Sequence, residues 1–258
     1  MILISLLAIV LLTLAVAGFT VLNARRKAAA SGEADSDSQS FVGGVLSALF
    51  TVVLAFYIVF AWQNGDDIEK ASQQETNALI DVYWQASIAP QPRAAVIQST
   101  ISEYTVRVAD HEWLTHGAGA TDPEAERLLA ELRSQVLALP ADSEALKTSR
   151  EQSLQDIRQI TENRQQRVTI ATDDQSFNVV LLVASILGAA LMIVFPLLIG
   201  LSMRPANVAV MALLTVTLGF TVYMSFELLH PFSGPFGVAP DSFNAVRETF
   251  ETTAQPAS

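Results

Sequence analysis

Four uncharged stretches of about twenty residues constrain the fold more than any other feature of this chain. They are residues 1–22, 41–62, 177–203 and 205–226. About 20 apolar residues in an α-helix span the hydrocarbon core of a bilayer, which is roughly 30 Å thick. A helix also pairs its own backbone polar groups, as the membrane interior requires. The sequence therefore predicts an integral membrane protein with four transmembrane helices.

The first of these stretches differs from a cleaved signal peptide. Its start carries no basic residue, and Arg25, Arg26 and Lys27 follow it instead of preceding it. A signal peptide has a basic start, a shorter apolar core and a small-residue cleavage site. We therefore predict a retained membrane anchor, followed by a mobile polar linker at residues 24–40.

Most of the charge lies between the second and third stretches, in residues 63–176. Apolar residues recur there three to four positions apart, as on the buried face of an amphipathic helix. Prolines at Pro90, Pro92 and Pro140 and a glycine at Gly117 mark helix ends, and Asp122-Pro123 marks a helix start. The pattern predicts four antiparallel helices with short links.

The predicted architecture is all-α, with four transmembrane helices and an extramembrane four-helix bundle inserted between the second and third. The predicted domains are a pair of spans joined by a polar linker, the bundle, a transmembrane hairpin and a Pro/Gly-rich C-terminal tail. Their boundaries are 1–62, 63–176, 177–229 and 230–258. Four spans put both termini on the same side as the bundle.

The side of the membrane follows from basic residues close to the spans. Arg25, Arg26, Lys27 and Arg204 lie in the short loops, and three of them abut the first span, which usually dominates orientation. We therefore predict a multi-pass protein of the cell membrane with cytoplasmic short loops. The bundle and both termini would be extracytoplasmic.

Rows of small and hydroxyl residues run along two of the spans. Such rows favour close helix packing, and they also line water-filled pathways. The sequence leaves both interpretations open, and in the second one the row residues line a pore. The candidate pore-lining residues are Gly44, Ser47, Thr51, Thr217, Thr221 and Ser225.

Pairs of acidic residues flank the spans on the bundle side. Asp66 and Asp67 follow the second span, and Asp173 and Asp174 precede the third. In an oligomer these four carboxylates would ring one membrane entrance, the vestibule, and concentrate cations there. The alternative is that they are ordinary solvated helix ends.

His111 and His116 are the only candidates for a metal site in the sequence, and their spacing is unfavourable. They lie five residues apart, about 140° around a helix, whereas two zinc-binding histidines on one helix lie four apart. His111 also continues the apolar stripe of Ile97, Ile101, Tyr104 and Val108, which predicts a core or half-buried histidine. We predict no metal, no cofactor and no enzymatic activity, since no catalytic constellation is present.

One stretch, Glu227-Leu-Leu-His-Pro-Phe-Ser-Gly-Pro-Phe-Gly-Val-Ala-Pro-Asp-Ser-Phe243, resembles the end of the bestrophin-like family of four-span proteins, domain of unknown function 4239. Three further stretches look similar to that family, at residues 44–62, 78–83 and 104–113. The resemblance implies kinship to bestrophin channels, which are pentameric anion channels with a large cytoplasmic helical part. That kinship would invert the orientation predicted from charge, and an acidic vestibule suits cations better.

Two functions follow from these observations. The leading hypothesis is a homo-oligomeric ion channel in the lipid bilayer, with the bundle as an acidic, cation-attracting vestibule and inorganic ions as its ligands. The alternative is a structural or sensory membrane protein whose bundle binds a partner or a small ligand. The net charge of −11 argues against nucleic acid as a partner.

Overall fold

The computed structural model of the protein describes residues 34–172, 176–198, 205–228 and 230–254. Every regular element in these ranges is a helix, and no strand occurs in them. The helices are α1 (Ala34–Ala86), α2 (Arg93–Arg107), a π-helix (Val108–Glu112), α3 (Trp113–Gly117), α4 (Pro123–Leu137), α5 (Glu144–Thr172), α6 (Ser176–Leu198), α7 (Pro205–Glu227) and α8 (Asp241–Ala254).

Three of the described helices are long and apolar enough to cross a membrane. They contain the candidate spans Ser40–Ala86, Val179–Pro196 and Pro205–Glu227. These three correspond to the second, third and fourth predicted spans. The predicted span at residues 1–22 lies outside the described residues.

Contacts divide the chain into two compact units. The apolar unit comprises Met1–Phe56 and Leu181–Tyr223, and the charged unit comprises Tyr57–Val180 and Met224–Ser258. In the apolar unit, glycines let aromatic rings approach the helix backbone. A Cβ at Gly43 would lie 2.8 Å from the Phe195 ring, and one at Gly188 would lie 2.6 Å from Phe50. These contacts pack α1 against α6.

Helix α1 extends beyond the predicted second span in both directions. Residues 34–40, predicted to belong to a mobile linker, form its first two turns. The predicted boundary between the second span and the bundle, at residues 62 and 63, is also helical, because Ala61, Ile68 and Ala71 form one continuous buried face across it.

The core of the charged unit is formed by α2, α4, α5 and α8 together with the second half of α1. Helix α2 packs on α4 and α8, and α4 packs on α5. The predicted hairpin of the second and third helices of the insert is therefore confirmed. Its turn contains Gly119, which adopts a φ of 71° and ends the helical run at Gly117. A residue with a side chain is strained in that conformation, so Gly119 fills the role predicted for Gly117.

The C-terminal segment contains a helix that the sequence analysis did not predict. In α8, Phe243, Val246 and Phe250 lie three and four residues apart, and all three are buried in the core of the charged unit. The Phe250 ring stacks on Tyr83 of α1 with centroids 4.3 Å apart. This segment therefore completes a hydrophobic core, which its proline and glycine content had obscured.

Candidate functional site

The predicted pore-lining residues lie mostly on outward faces of their helices. Gly44, Thr51 and Thr217 are exposed, Ser47 and Thr221 are half-buried, and Ser225 is buried. Hydroxyls in these rows donate to carbonyls one turn back, Thr51 to Ser47 at 2.9 Å and Thr221 to Thr217 at 2.9 Å. An exposed hydroxyl that is paired in this way tolerates lipid as well as water.

The structure describes two of the four predicted vestibule acids. Asp66 and Asp67 are half-buried on α1, and the Asp66 carboxylate accepts a 2.5 Å hydrogen bond from the ammonium of Lys70. Asp173 and Asp174 lie outside the described residues. The Asp66–Lys70 pair is neutral as a whole, so Asp66 adds less negative potential than an unpaired carboxylate would.

An acidic cleft lies directly beyond the second span, between α1 and the Pro231–Val238 segment. Its volume is about 250 Å³. Asp66 and Glu69 supply carboxylates, while Trp62, Leu228 and Phe236 supply apolar walls. The Pro231–Val238 segment is held in a tight turn by a 2.8 Å hydrogen bond from the Val238 amide to the Pro231 carbonyl. Among the predicted vestibule acids that the structure describes, Asp66 lines this cleft.

The main polar site of the charged unit is a buried network that begins at the π-helix. A π-helix holds more residues per turn than an α-helix, so it shifts the register of all residues after it. As a result His111, predicted to continue the buried stripe after Val108, is exposed, and Glu112 is fully buried in its place. The prediction of a core His111 is therefore wrong, and the register shift explains why.

One half of the network pairs Glu75 of α1 with Arg167 of α5. Arg167 donates from Nε and Nη2 to both carboxylate oxygens of Glu75 at 2.9–3.0 Å, and neither side chain is exposed to solvent. The hydroxyl of Tyr104 donates to Glu75 Oε1 at 2.6 Å. Burial opposes the charge on Arg167, but the nearby Glu75 and Glu112 carboxylates outweigh it and raise the pKa of Arg167.

The other half of the network joins Glu112 to the start of α4. Arg164 donates to Glu112 Oε1 from Nε at 2.9 Å and lies 2.6 Å from it through Nη2. The same Nη2 donates to the backbone carbonyl of Asp122 at 3.1 Å. The Asp122 side chain accepts from Arg107 and from the Glu124 amide, and so caps α4. Glu112 is thereby coupled to a helix end.

His116 borders this network on one side. It is buried, and its Nε2 lies 4.0 Å from Glu112 Oε1. Burial lowers the pKa of His116, although the Glu112 carboxylate acts in the opposite direction. Three buried atoms of the network have no hydrogen-bond partner in the protein, namely Glu112 Oε2, His116 Nε2 and Arg167 Nη1.

Aromatic rings close the network on another side. The Arg167 guanidinium carbon lies 5.5 Å from the centre of the Trp113 ring and 5.1 Å from that of Phe243. Cations are attracted to aromatic faces at such distances. Trp113 is itself fixed, because its Nε1 donates to the Val238 carbonyl at 2.9 Å. The α8 segment thus covers the charged pair that joins α1 to α5.

The network holds opposite charges in a site that excludes water. In the ranges 40–172, 179–196, 205–228 and 230–253, no group of three or more His, Asp or Glu side chains could hold a metal ion. The network has two carboxylates against two guanidiniums, so it is electrically balanced while His116 is neutral. A proton gained or lost there therefore changes the balance of a site that excludes water.

Sequence analysis did not assign Glu75, Glu112, Arg164 or Arg167 to a site, yet the positions of Glu75 and Arg164 carried a visible pattern. Glu75 stands four residues after Ala71 and four before Leu79, on a stripe that is otherwise apolar. Arg164 likewise stands four residues after Ile160 and four before Val168. Charged residues at apolar-face positions of two helices in one bundle indicate a buried ion pair.

Comparison with known proteins gives one match. A family model described as the Bestrophin-like domain matches residues 9–243, which is most of the chain. No curated protein matches, and no solved structure matches. The match extends across both units described above.

Proposed function

This chain belongs to the bestrophin-like family, and we propose that it is a homo-oligomeric membrane protein that conducts ions. In this proposal four transmembrane helices anchor each subunit, and a four-helix bundle at residues 63–176 forms the vestibule outside the bilayer. The bundle and both termini share one side of the cell membrane, the extracytoplasmic one. The ions conducted are cations, because the vestibule is acidic.

The observation that carries this proposal is the acidic cleft directly beyond the second span. Asp66 and Glu69 are one helical turn apart and line the same cleft of about 250 Å³. A concave site with carboxylates in low-dielectric walls concentrates cations more effectively than the same charges on a flat surface. Asp67, half-buried on the same turn of α1, adds to this potential.

The apolar unit supports assembly of several subunits around a path. Large apolar side chains are exposed along its helices, which suits contact with lipid or with a second subunit. The hydroxyl row on α7, with Thr217 exposed and Thr221 half-buried, interrupts that apolar surface. In an oligomer such a row lines the path, together with Gly44, Ser47 and Thr51 of α1.

The experiment is current measurement on purified protein reconstituted into planar bilayers with a KCl gradient. A cation-conducting pore gives a reversal potential displaced toward the equilibrium potential of K⁺. A displacement toward that of Cl⁻ would contradict the acidic vestibule. Absence of current in several lipid compositions would contradict conduction itself.

Orientation is tested separately by cysteine labelling, since the chain contains no cysteine of its own. Single cysteines are placed at Ser31 and at Ser143, which is exposed at the start of α5. An impermeant thiol reagent on intact cells is expected to label position 143 and leave position 31 unlabelled. The opposite pattern would place the bundle in the cytoplasm.

A second candidate function is a sensory protein whose charged unit responds to a ligand. The buried network favours it, because Glu112, His116 and Arg167 each keep an unpartnered atom at a site without solvent access. Such groups are costly in a purely structural core. A protein without current, but with ligand-dependent protection of the charged unit from proteolysis, would support this candidate.

A further inference from the structure

The surroundings of His116 define which of its ring nitrogens is free to bind a proton. Its Nδ1 lies 3.1 Å from the Ala120 carbonyl, an atom that only accepts hydrogen bonds. Nδ1 is therefore the protonated nitrogen of the neutral ring, and Nε2 carries a lone pair. That lone pair lies 4.0 Å from Glu112 Oε1, which is also an acceptor. Two acceptors thus face each other in a fully buried site.

The charged groups around this pair come from every element packed on it. The π-helix supplies Glu112, α5 supplies Arg164 and Arg167, α1 supplies Glu75, and the turn before α4 supplies Asp122. Two further neighbours bear no charge at neutral pH. One is the Tyr104 hydroxyl, which donates to Glu75, and the other is the Phe232 ring, whose centre lies 5.1 Å from that of the His116 ring. The unprotonated Nε2 of His116 thus lies beside the Glu112 carboxylate, and the guanidiniums of Arg164 and Arg167 lie beyond that carboxylate.

We propose that His116 and Glu112 form a buried proton-binding site that controls the hold of Arg164 on the start of α4. A proton on Nε2 turns it into a donor aimed at Glu112, and a movement of about 1 Å closes the 4.0 Å gap to hydrogen-bond length. The imidazolium then competes with Arg164 for Glu112 Oε1. As Arg164 loses this partner, its hydrogen bond to the Asp122 carbonyl weakens.

The proton affinity of this site is set by opposing forces. Burial lowers the pKa of His116, Glu112 raises it, and Arg167 and Arg164 lower it again. His116 is therefore neutral at neutral pH and binds a proton at a lower pH than an ordinary histidine, whose pKa is about 6.5. This role is separate from ion conduction, since it needs neither a pore nor an oligomer.

The first test is NMR of the full-length protein in lipid nanodiscs with ¹³C-labelled histidine. The chain has three histidines, so variants His111→Gln and His230→Gln assign the remaining signals. The His116 signal is expected to titrate below pH 6.5, and Glu112→Gln is expected to move its midpoint to lower pH. A His116 midpoint at or above pH 6.5, or a ring that stays neutral down to acid unfolding, would overturn the proposal.

The second test measures amide hydrogen exchange in the first turn of α4 at pH 7 and pH 5, corrected for intrinsic exchange. Acidification is expected to speed exchange at Glu126, whose amide donates to the Asp122 carbonyl that Arg164 also contacts, about tenfold, the factor that follows from one lost hydrogen bond to a charged group. His116→Gln is expected to abolish this response, and His111→Gln, an exposed site in the adjacent π-helix, to retain it. An acid-induced increase in exchange that persists in the His116→Gln variant would refute the coupling between His116 and Arg164. This test does not use the Glu112→Gln variant, so it holds even where that variant fails to fold.

Discussion

Arg167 and Glu75 form a doubly hydrogen-bonded ion pair at 2.9–3.0 Å, with neither side chain reaching solvent, across 92 residues of sequence. Burial of two charges costs several kcal/mol for each ion, and good pair geometry offsets this cost. The pair therefore adds little net stability compared with apolar residues of the same shape. Its structural effect is to fix the register of α1 against α5.

Removal of one partner is therefore expected to destabilise the protein far more than removal of both. Glu75→Gln or Arg167→Met should each cost about 3–5 kcal/mol, because the remaining polar group stays buried without a matching charge. The Glu75→Leu, Arg167→Met double variant should cost clearly less than the sum. Chemical unfolding in detergent, followed by helix content, measures the difference. The matched control is Arg127→Met, which breaks an exposed pair with Glu124 and should change stability little.

Phe243→Ala is expected to destabilise the charged unit by about 3–5 kcal/mol. The ring is fully buried and covers one face of the Arg167 guanidinium at 5.1 Å, so its loss leaves a cavity beside a charge. The control is Leu114→Ala, since Leu114 is 75% exposed and its truncation creates no cavity. Equal melting temperatures for the two variants would show that α8 contributes nothing to the core.

Stability is expected to fall as pH is lowered from about 7 toward 5.5, the window in which an ordinary histidine becomes protonated. The pKa of His116 is lower in the folded protein than in the unfolded chain. In this pH window the unfolded chain therefore binds more protons than the folded protein does, and this binding lowers the free energy of the unfolded state. His116→Gln should flatten this slope, and His230→Gln, at an exposed position, should preserve it. Unfolding curves at several pH values measure both slopes. An unchanged slope in His116→Gln would assign the effect to other groups.

Replacement of Asp66, Asp67, Asp173 and Asp174 by Asn is expected to lower cation conductance at low salt and to change it little at high salt. Two unit charges 10 Å apart interact by about 0.4 kcal/mol in water and by about 1.7 kcal/mol at a dielectric constant of 20. A ring of such carboxylates therefore changes the cation conductance, whereas a single carboxylate does not. The Debye length falls from about 10 Å at 0.1 M salt to 3 Å at 1 M, which screens the ring. Single-channel currents across a salt series measure the effect.

The control for that variant removes four exposed carboxylates elsewhere, as Glu103→Gln, Asp142→Asn, Glu144→Gln and Glu151→Gln. It makes the net charge less negative by the same amount and leaves the four predicted vestibule acids in place. Equal currents at low salt in the two fourfold variants would remove the acid ring from the mechanism.

Hydrophobic periodicity was sufficient to predict the helical insert and its hairpin, because each helix there buries one stripe. Leu128, Leu132 and Val136, for example, were placed correctly on the buried face of α4. Periodicity failed at His111, because a π-helix has no sequence pattern that distinguishes it from regular α-helix. It also failed at Glu75, where the partner that makes burial tolerable lies 92 residues away.

The helix α8 was missed for a different reason. The segment that precedes it, residues 230–240, contains Gly234 at a φ of 81° and three prolines, and such a composition predicts irregular backbone. The segment is irregular, yet it is short and fixed, and it delivers Phe243 to a core position. Spacing of Phe243, Val246 and Phe250 alone would have indicated the helix.

The position of α8 in the chain has a consequence for biosynthesis. The ribosome makes Glu75, Glu112 and Arg167 before it makes the ring that covers them, and the apolar helices α6 and α7 emerge in between. The nascent charged unit therefore spends part of its synthesis with Arg167 uncovered by Phe243. Because the pair becomes enclosed only after the last described span has been translated, the charged unit completes its core late in synthesis.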